Sequence, residues 1–183
     1  MADPADIQRL IGDLVREGTV VSVDLPAGTA RVRFADDLTT GDIPWQCGRS
    51  GKTRVWSPPS VGEQVSVLSP EADTARGVIV GSLSSDAHPH AAQDGSTRID
   101  FEDGAWCGYD PGSGDFTVMV GAGKATIIAR GGVRLVGPVR IEGDIDLQGA
   151  MTATNDVVAD GKSLKNHVHT GVQAGGALSG KPQ

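Results

Sequence analysis

Aromatic residues make up only 4% of this 183-residue sequence, and it holds just two cysteines. So few rings speak against one large core, and the length allows one ordinary domain or a small domain with an extended appendage. Cys47 and Cys107 lie 60 residues apart with no CxxC or zinc-type spacing, which excludes a disulfide framework and a cysteine metal site. Both are read as reduced thiols. Basic charge is scarce too: 16 Lys and Arg stand against 23 Asp and Glu, a net charge of −7. Such a surface repels a phosphate backbone, so no nucleic-acid partner is expected. No run approaches the roughly 18 apolar residues of a membrane span, and no basic start followed by an apolar stretch opens the chain. The sequence is therefore expected to be made in a cytoplasm and to stay soluble.

Catalytic signatures are missing as well. There is no nucleophile elbow and no phosphate-cradling glycine loop ahead of a helix. Asp100 and Glu102 share one outward face and Asp103-Gly104 reads as a turn, so these carboxylates are expected to be solvated. Neither an enzymatic activity nor a small-molecule substrate is expected.

Gly is abundant at 26 residues and Pro adds 10, a composition of short strands and tight turns. Five segments are predicted. Residues 1–18 form a helix: Ile7, Leu10, Ile11, Leu14 and Val15 make one apolar stripe, with Asp3 as cap, Pro4 at the first helical position and Asp6 in the first turn. Residues 19–83 alternate with period two, in strands near 19–24, 30–34, 43–46, 64–68 and 77–83. Strands this short remove their exposed edges most economically by closing into an OB-type barrel. Residues 84–95 are polar and contain proline, as a linker does.

Residues 96–150 carry apolar alternations that each stop at a glycine, among them Ile99 with Phe101, Phe116 with Val118 and Val120, Val133 with Leu135, Val139 with Ile141, and Ile145 with Leu147. One chain cannot bury such narrow edges. Three chains wound about one axis can, with Arg98, Asp100, Arg134, Arg140, Glu142, Asp146 and Gln148 facing water. The fold class expected is thus mainly β: an N-terminal helix, an OB-fold barrel, then an intertwined trimeric triple-stranded β-helix, with its segments shortening toward the C-terminus. Residues 151–183 form the tip.

His167-Val168-His169 lies ahead of a glycine-rich end. In a strand, residues i and i+2 point to one side, so three chains about an axis would supply six imidazole nitrogens, an octahedral shell. That count disfavours structural zinc and suits an iron-like divalent ion, with nickel or cobalt as alternatives. His88-Pro89-His90 has the same spacing but sits in the linker with a proline between, and is read as exposed histidines. Trp45 and Trp56 could form a stacking platform; lacking a basic surround, they are assigned to packing.

The run Arg54-Val55-Trp56-Ser57-Pro58-Pro59-Ser60-Val61-Gly62-Glu63-Gln64-Val65, followed by Gly77-Val78-Ile79-Val80-Gly81-Ser82-Leu83, resembles the OB domain of the phage baseplate assembly protein V family. The His167-Val168-His169 triplet and the end that follows resemble that family's spike apex. The resemblance implies a homotrimeric, non-enzymatic spike in the virion tail baseplate of a contractile phage, attached to hub and tail tube proteins and driven through the host outer membrane. It also implies one iron ion per trimer, carried onto His167 and His169, and further ions on the axis. The alternative is an OB module that binds oligosaccharide or nucleic acid on a trimerisation stalk.

Overall fold

The computed structural model describes residues 3–35, 37–168, 171 and 175. The chain divides into two compact units, residues 1–127 and 128–183.

The first unit opens with helix α1 (Pro4–Gly12). Asp3 stays extended and its carboxylate accepts from the Ala5 N–H at 3.0 Å, so it caps the helix, with Pro4 inside the first turn. The helix is shorter than the apolar stripe suggests. It stops at Gly12, a poor helix former, and Val15 already pairs with Leu68 in the first strand. Leu14 and Val15 fit both a helical stripe and a strand, and the sheet takes Val15. The stripe that remains on α1 is not covered: Ile11 is 67% exposed.

Strands β1 (Val15–Asp24), β2 (Thr29–Phe34), β3 (Ile43–Pro44), β4 (Gln64–Leu68) and β5 (Val78–Leu83) form one sheet in the order β3-β2-β1-β4-β5. Strand β1 serves two partners. Its first half pairs antiparallel with β4 and its second half with β2, and Gly18 faces both Phe34 and Val65. A bulge between Val20 and Ser22 sharpens the bend. The sheet curls until its two edge strands meet at a parallel bridge between Trp45 and Ile79, where the Gln46 N–H donates to the Ile79 carbonyl at 2.7 Å. Alternate strand positions fill the interior with Val20, Ala30, Val32, Phe34, Ile43, Trp45, Val65, Val67 and Ile79. This is the curled β-sheet of an OB domain, built from the five segments that alternate in the sequence.

Residues 97–119 form a second sheet, an antiparallel meander of β6 (Thr97–Asp100), β7 (Trp106–Asp110) and β8 (Asp115–Met119). The register pairs Ile99 with Cys107 and Cys107 with Val118, and Tyr109 with Phe116. One face therefore carries Ile99, Cys107, Tyr109, Phe116 and Val118 together. On the other, the Arg98 guanidinium lies 4.2 Å from the Trp106 ring and 2.5 Å from Asp100. Phe116 is 70% exposed, so the apolar face is bare in the single chain. The strands of residues 97–119 pair within the chain.

The second unit contrasts with the first. From 128 to 157 no strand is assigned, and the backbone turns at Gly137, Gly143 and Gly149, with φ of 125°, 131° and 145°. Such angles suit only glycine. Counting from Gly131, glycine recurs every six residues, and the third and fifth positions of each hexad are apolar: Val133 and Leu135, Val139 and Ile141, Ile145 and Leu147. All six are more than half exposed. The spacing is constant from Gly131 to Gly149.

Candidate metal-binding apex

The described chain before the glycine-rich end folds into a hairpin of β9 (Val158–Ala159) and β10 (Lys162–Ser163). The two residues between them, Asp160 and Gly161, have φ of 49° and 72°. Positive φ at both central positions of a two-residue loop is the hairpin geometry that Asp-Gly favours. One side chain locks the hairpin base. The Asp156 carboxylate accepts from the Val157 N–H at 2.8 Å and, across the hairpin, from the Lys165 N–H at 3.1 Å. Ser163 accepts the Asn166 N–H on its hydroxyl at 2.8 Å and the His167 N–H on its carbonyl at 3.1 Å. Asp156 and Ser163 thus both tie down the turn that leads to His167.

The Ser163 hydroxyl, followed by the Lys165 and Val157 amides, holds the Asp156 carboxyl below the usual carboxylate range. A carboxylate with a depressed folded-state pKa contributes stability above its unfolded pKa of about 3.9 and loses it as pH falls through the lower folded value. The protection factor of the Lys165 amide, its exchange relative to an unstructured amide at the same pH, is therefore expected to fall on acidification below about pH 4. Asp156→Asn should show low protection at neutral pH with that acid dependence removed. An unchanged profile in the variant would mean that Asp156 does not hold the hairpin.

His167 Nδ1 lies 3.1 Å from the Leu164 carbonyl oxygen and 3.2 Å from that of Ser163. A carbonyl can only accept, so Nδ1–H is the donor in these contacts and they fix the orientation of the ring. A neutral imidazole oriented by backbone carbonyls through Nδ1 is the usual form of a histidine metal ligand. This donor fits a divalent metal. Among the described residues no group of three or more His, Cys, Asp or Glu comes together that could hold a metal ion. His169, the second histidine of the triplet, lies outside the described residues.

The other candidates fall elsewhere. The linker histidines are engaged locally: Ser85 and His88 exchange backbone hydrogen bonds of 2.9 and 3.1 Å, and His90 Nε2 is 3.2 Å from the Ser84 hydroxyl. Trp45 is 8% exposed and belongs to the barrel interior, while Trp56 meets it edge-on at 5.4 Å and is 61% exposed. Cys47 and Cys107 are both free thiols, half-buried. Asp100 pairs with Arg98, and Asp103 accepts the Ala105 N–H in the turn before β7. Sequence reasoning misses Asp156 and Ser163, although the Asp160-Gly161 pair between short β-prone runs signals the hairpin that brings them together.

A small curled sheet of this strand order marks the five-stranded part of the first unit as an OB domain. Residues 16–83 match the family model of the type VI secretion system/phage-baseplate injector OB domain, and residues 163–183 match that of the GpV apex motif. The chain is also 35% identical over 141 residues to the spike protein of Escherichia phage P2, across 76% of this chain and 65% of that protein. Over its OB domain and its apex the chain is thus similar to phage baseplate spike proteins, and it spans a little under two thirds of the length of the relative it matches.

Proposed function

We propose that this chain is the structural central spike of a contractile phage tail: a homotrimer seated on baseplate hub and tail proteins through residues 1–83, joined by a linker at 84–95 to a shaft within 96–150, and ending in an apex over 151–183. It works mechanically, without catalysis. Tail contraction drives the tip through the host outer membrane. The observation that carries this reading is the hexad repeat, three glycine-led units whose paired apolar residues are left exposed in the single chain. Chains wound about a common axis would bury those pairs against one another, and a continuous interchain ladder would resist buckling. The bare apolar face of β6, β7 and β8 gives the same assembly a broader contact before the hexads begin.

At the apex, His167 and His169 of three chains would supply six nitrogen donors to one iron ion. The metal supplies a cross-link between chains and no reaction chemistry. His167 is oriented for it by Ser163 and Leu164, and Asp156 fixes the turn that carries Ser163. His167→Ala combined with His169→Ala is expected to remove iron, read by elemental analysis against about one ion per three chains in the parent, while light scattering still reports a trimer. Residues after 166 should then be cut faster by protease. Iron retained by the double variant, or an anomalous peak at His88 and His90, would place the metal elsewhere.

A further inference from the structure

Strand β5 closes the five-stranded sheet on one side only. Its inner edge is fully laddered to β4, whereas its outer edge meets another strand at the single Trp45–Ile79 bridge among the described residues. Past that bridge the walls diverge, and a cleft of about 480 Å³ opens between Val80-Gly81-Ser82 and the stretch from Gln46 to Gly48. An unpaired strand edge beside a groove is the arrangement that accepts an extended peptide as an added strand.

The charge of the cleft wall points to an occupant. Among the described residues, the only charged one on the cleft wall is Glu63, whose carboxylate is held in place by the Ser60 N–H at 2.7 Å and the Ser82 hydroxyl. A segment of neutral or basic character is therefore favoured over an acidic one, as is also expected from the net charge of −7.

We propose that the outer edge of β5, with this cleft, receives an extended, neutral-to-basic strand of the tail protein on which the spike is seated. This rests on the spike reading above and names the surface by which the barrel is held. Main-chain hydrogen bonds along Val80–Leu83 supply the attachment, and the cleft selects the side chains of the added strand.

Gly81 permits a clean test. A Cβ at that position meets nothing within 4 Å, so a large side chain fills the cleft without disturbing the barrel; Gly41 is equally open and does not line the cleft. Phage tails are assembled with the parent chain, with Gly81→Trp and with Gly41→Trp, and spike content is measured in purified tails. Gly81→Trp is expected to keep the parent oligomer and thermal midpoint yet fall about tenfold or more in tail incorporation. Gly41→Trp should incorporate normally. In parent tails, amides of Val80–Leu83 should exchange more slowly than in the free protein. Normal incorporation of Gly81→Trp, with no added protection in that strand, overturns the proposal while leaving the spike reading intact. Parent protein absent from tails overturns both. Cleft-dependent binding to an oligosaccharide panel without any effect on incorporation would assign the cleft to a sugar and overturn the docking strand.

Discussion

Gly18→Ala is expected to unfold the barrel at a thermal midpoint about 10–20 °C below that of the parent, a larger loss than one added methyl group usually produces. Gly18 is where β1 passes from β4 to β2. A Cβ there would lie 2.6 Å from a Val32 methyl, 2.8 Å from the Arg33 carbonyl oxygen and 2.9 Å from the Phe34 ring. A flexible side-chain tip could give way, but the carbonyl belongs to the paired backbone of β2, and Val32 and Phe34 are both buried in the core. Relief thus requires spreading two strands or repacking the centre, at about 3 kcal/mol. Gly41→Ala, in open space, is the control and should stay within about 0.5 kcal/mol of the parent. Thermal unfolding followed by exchange of the Val32 and Val65 amides reads the barrel alone. A midpoint for Gly18→Ala equal to that of Gly41→Ala would mean that the strands at this crossing are farther apart than described.

The elements legible in the sequence are those whose signal is local. Asp3-Pro4 announces the helix start, and the alternations around Val32 and Val65 announce strands because each buries every second residue in the same core. Where one segment fits two periods, the sequence does not choose. Leu14 and Val15 extend the helical stripe of Ile7, Leu10 and Ile11 as well as they begin a strand, and the outcome rests on Leu68, more than fifty residues away. Closure at Trp45 and Ile79 is equally remote. Strand β7 escapes notice because Gly108 interrupts the apolar pattern; a Cβ there would press on the Thr97 carbonyl at 2.8 Å, so the glycine is set by the neighbouring strand. At the apex, the His167 spacing is visible, but its orientation depends on two carbonyls and on Asp156, which only the hairpin brings near.

Ile141→Asp is expected to abolish the proposed trimer, with light scattering returning the mass of a single chain, whereas Arg140→Asp should leave it assembled. The two positions are adjacent and differ in the face they occupy. Ile141 is the fifth residue of its hexad, in register with Leu135 and Leu147, and is 59% exposed in the isolated chain. Winding three chains would bury three copies of it at one level of the axis. Three carboxylates at that level would lose their water and repel one another, while the apolar burial that draws the chains together, about 1.5–3 kcal/mol for each fully buried aliphatic side chain, is removed at the same level. Arg140 lies on the alternate face, 86% exposed at its side chain and paired with the similarly accessible Glu142. Such a surface ion pair contributes about 0–1 kcal/mol, too little to decide assembly. The opposite ordering, with Arg140→Asp dissociating the chains and Ile141→Asp tolerated, would mean that the hexads present their other face to the axis. Tolerance of both would leave the six-residue repeat without the packing role assigned to it.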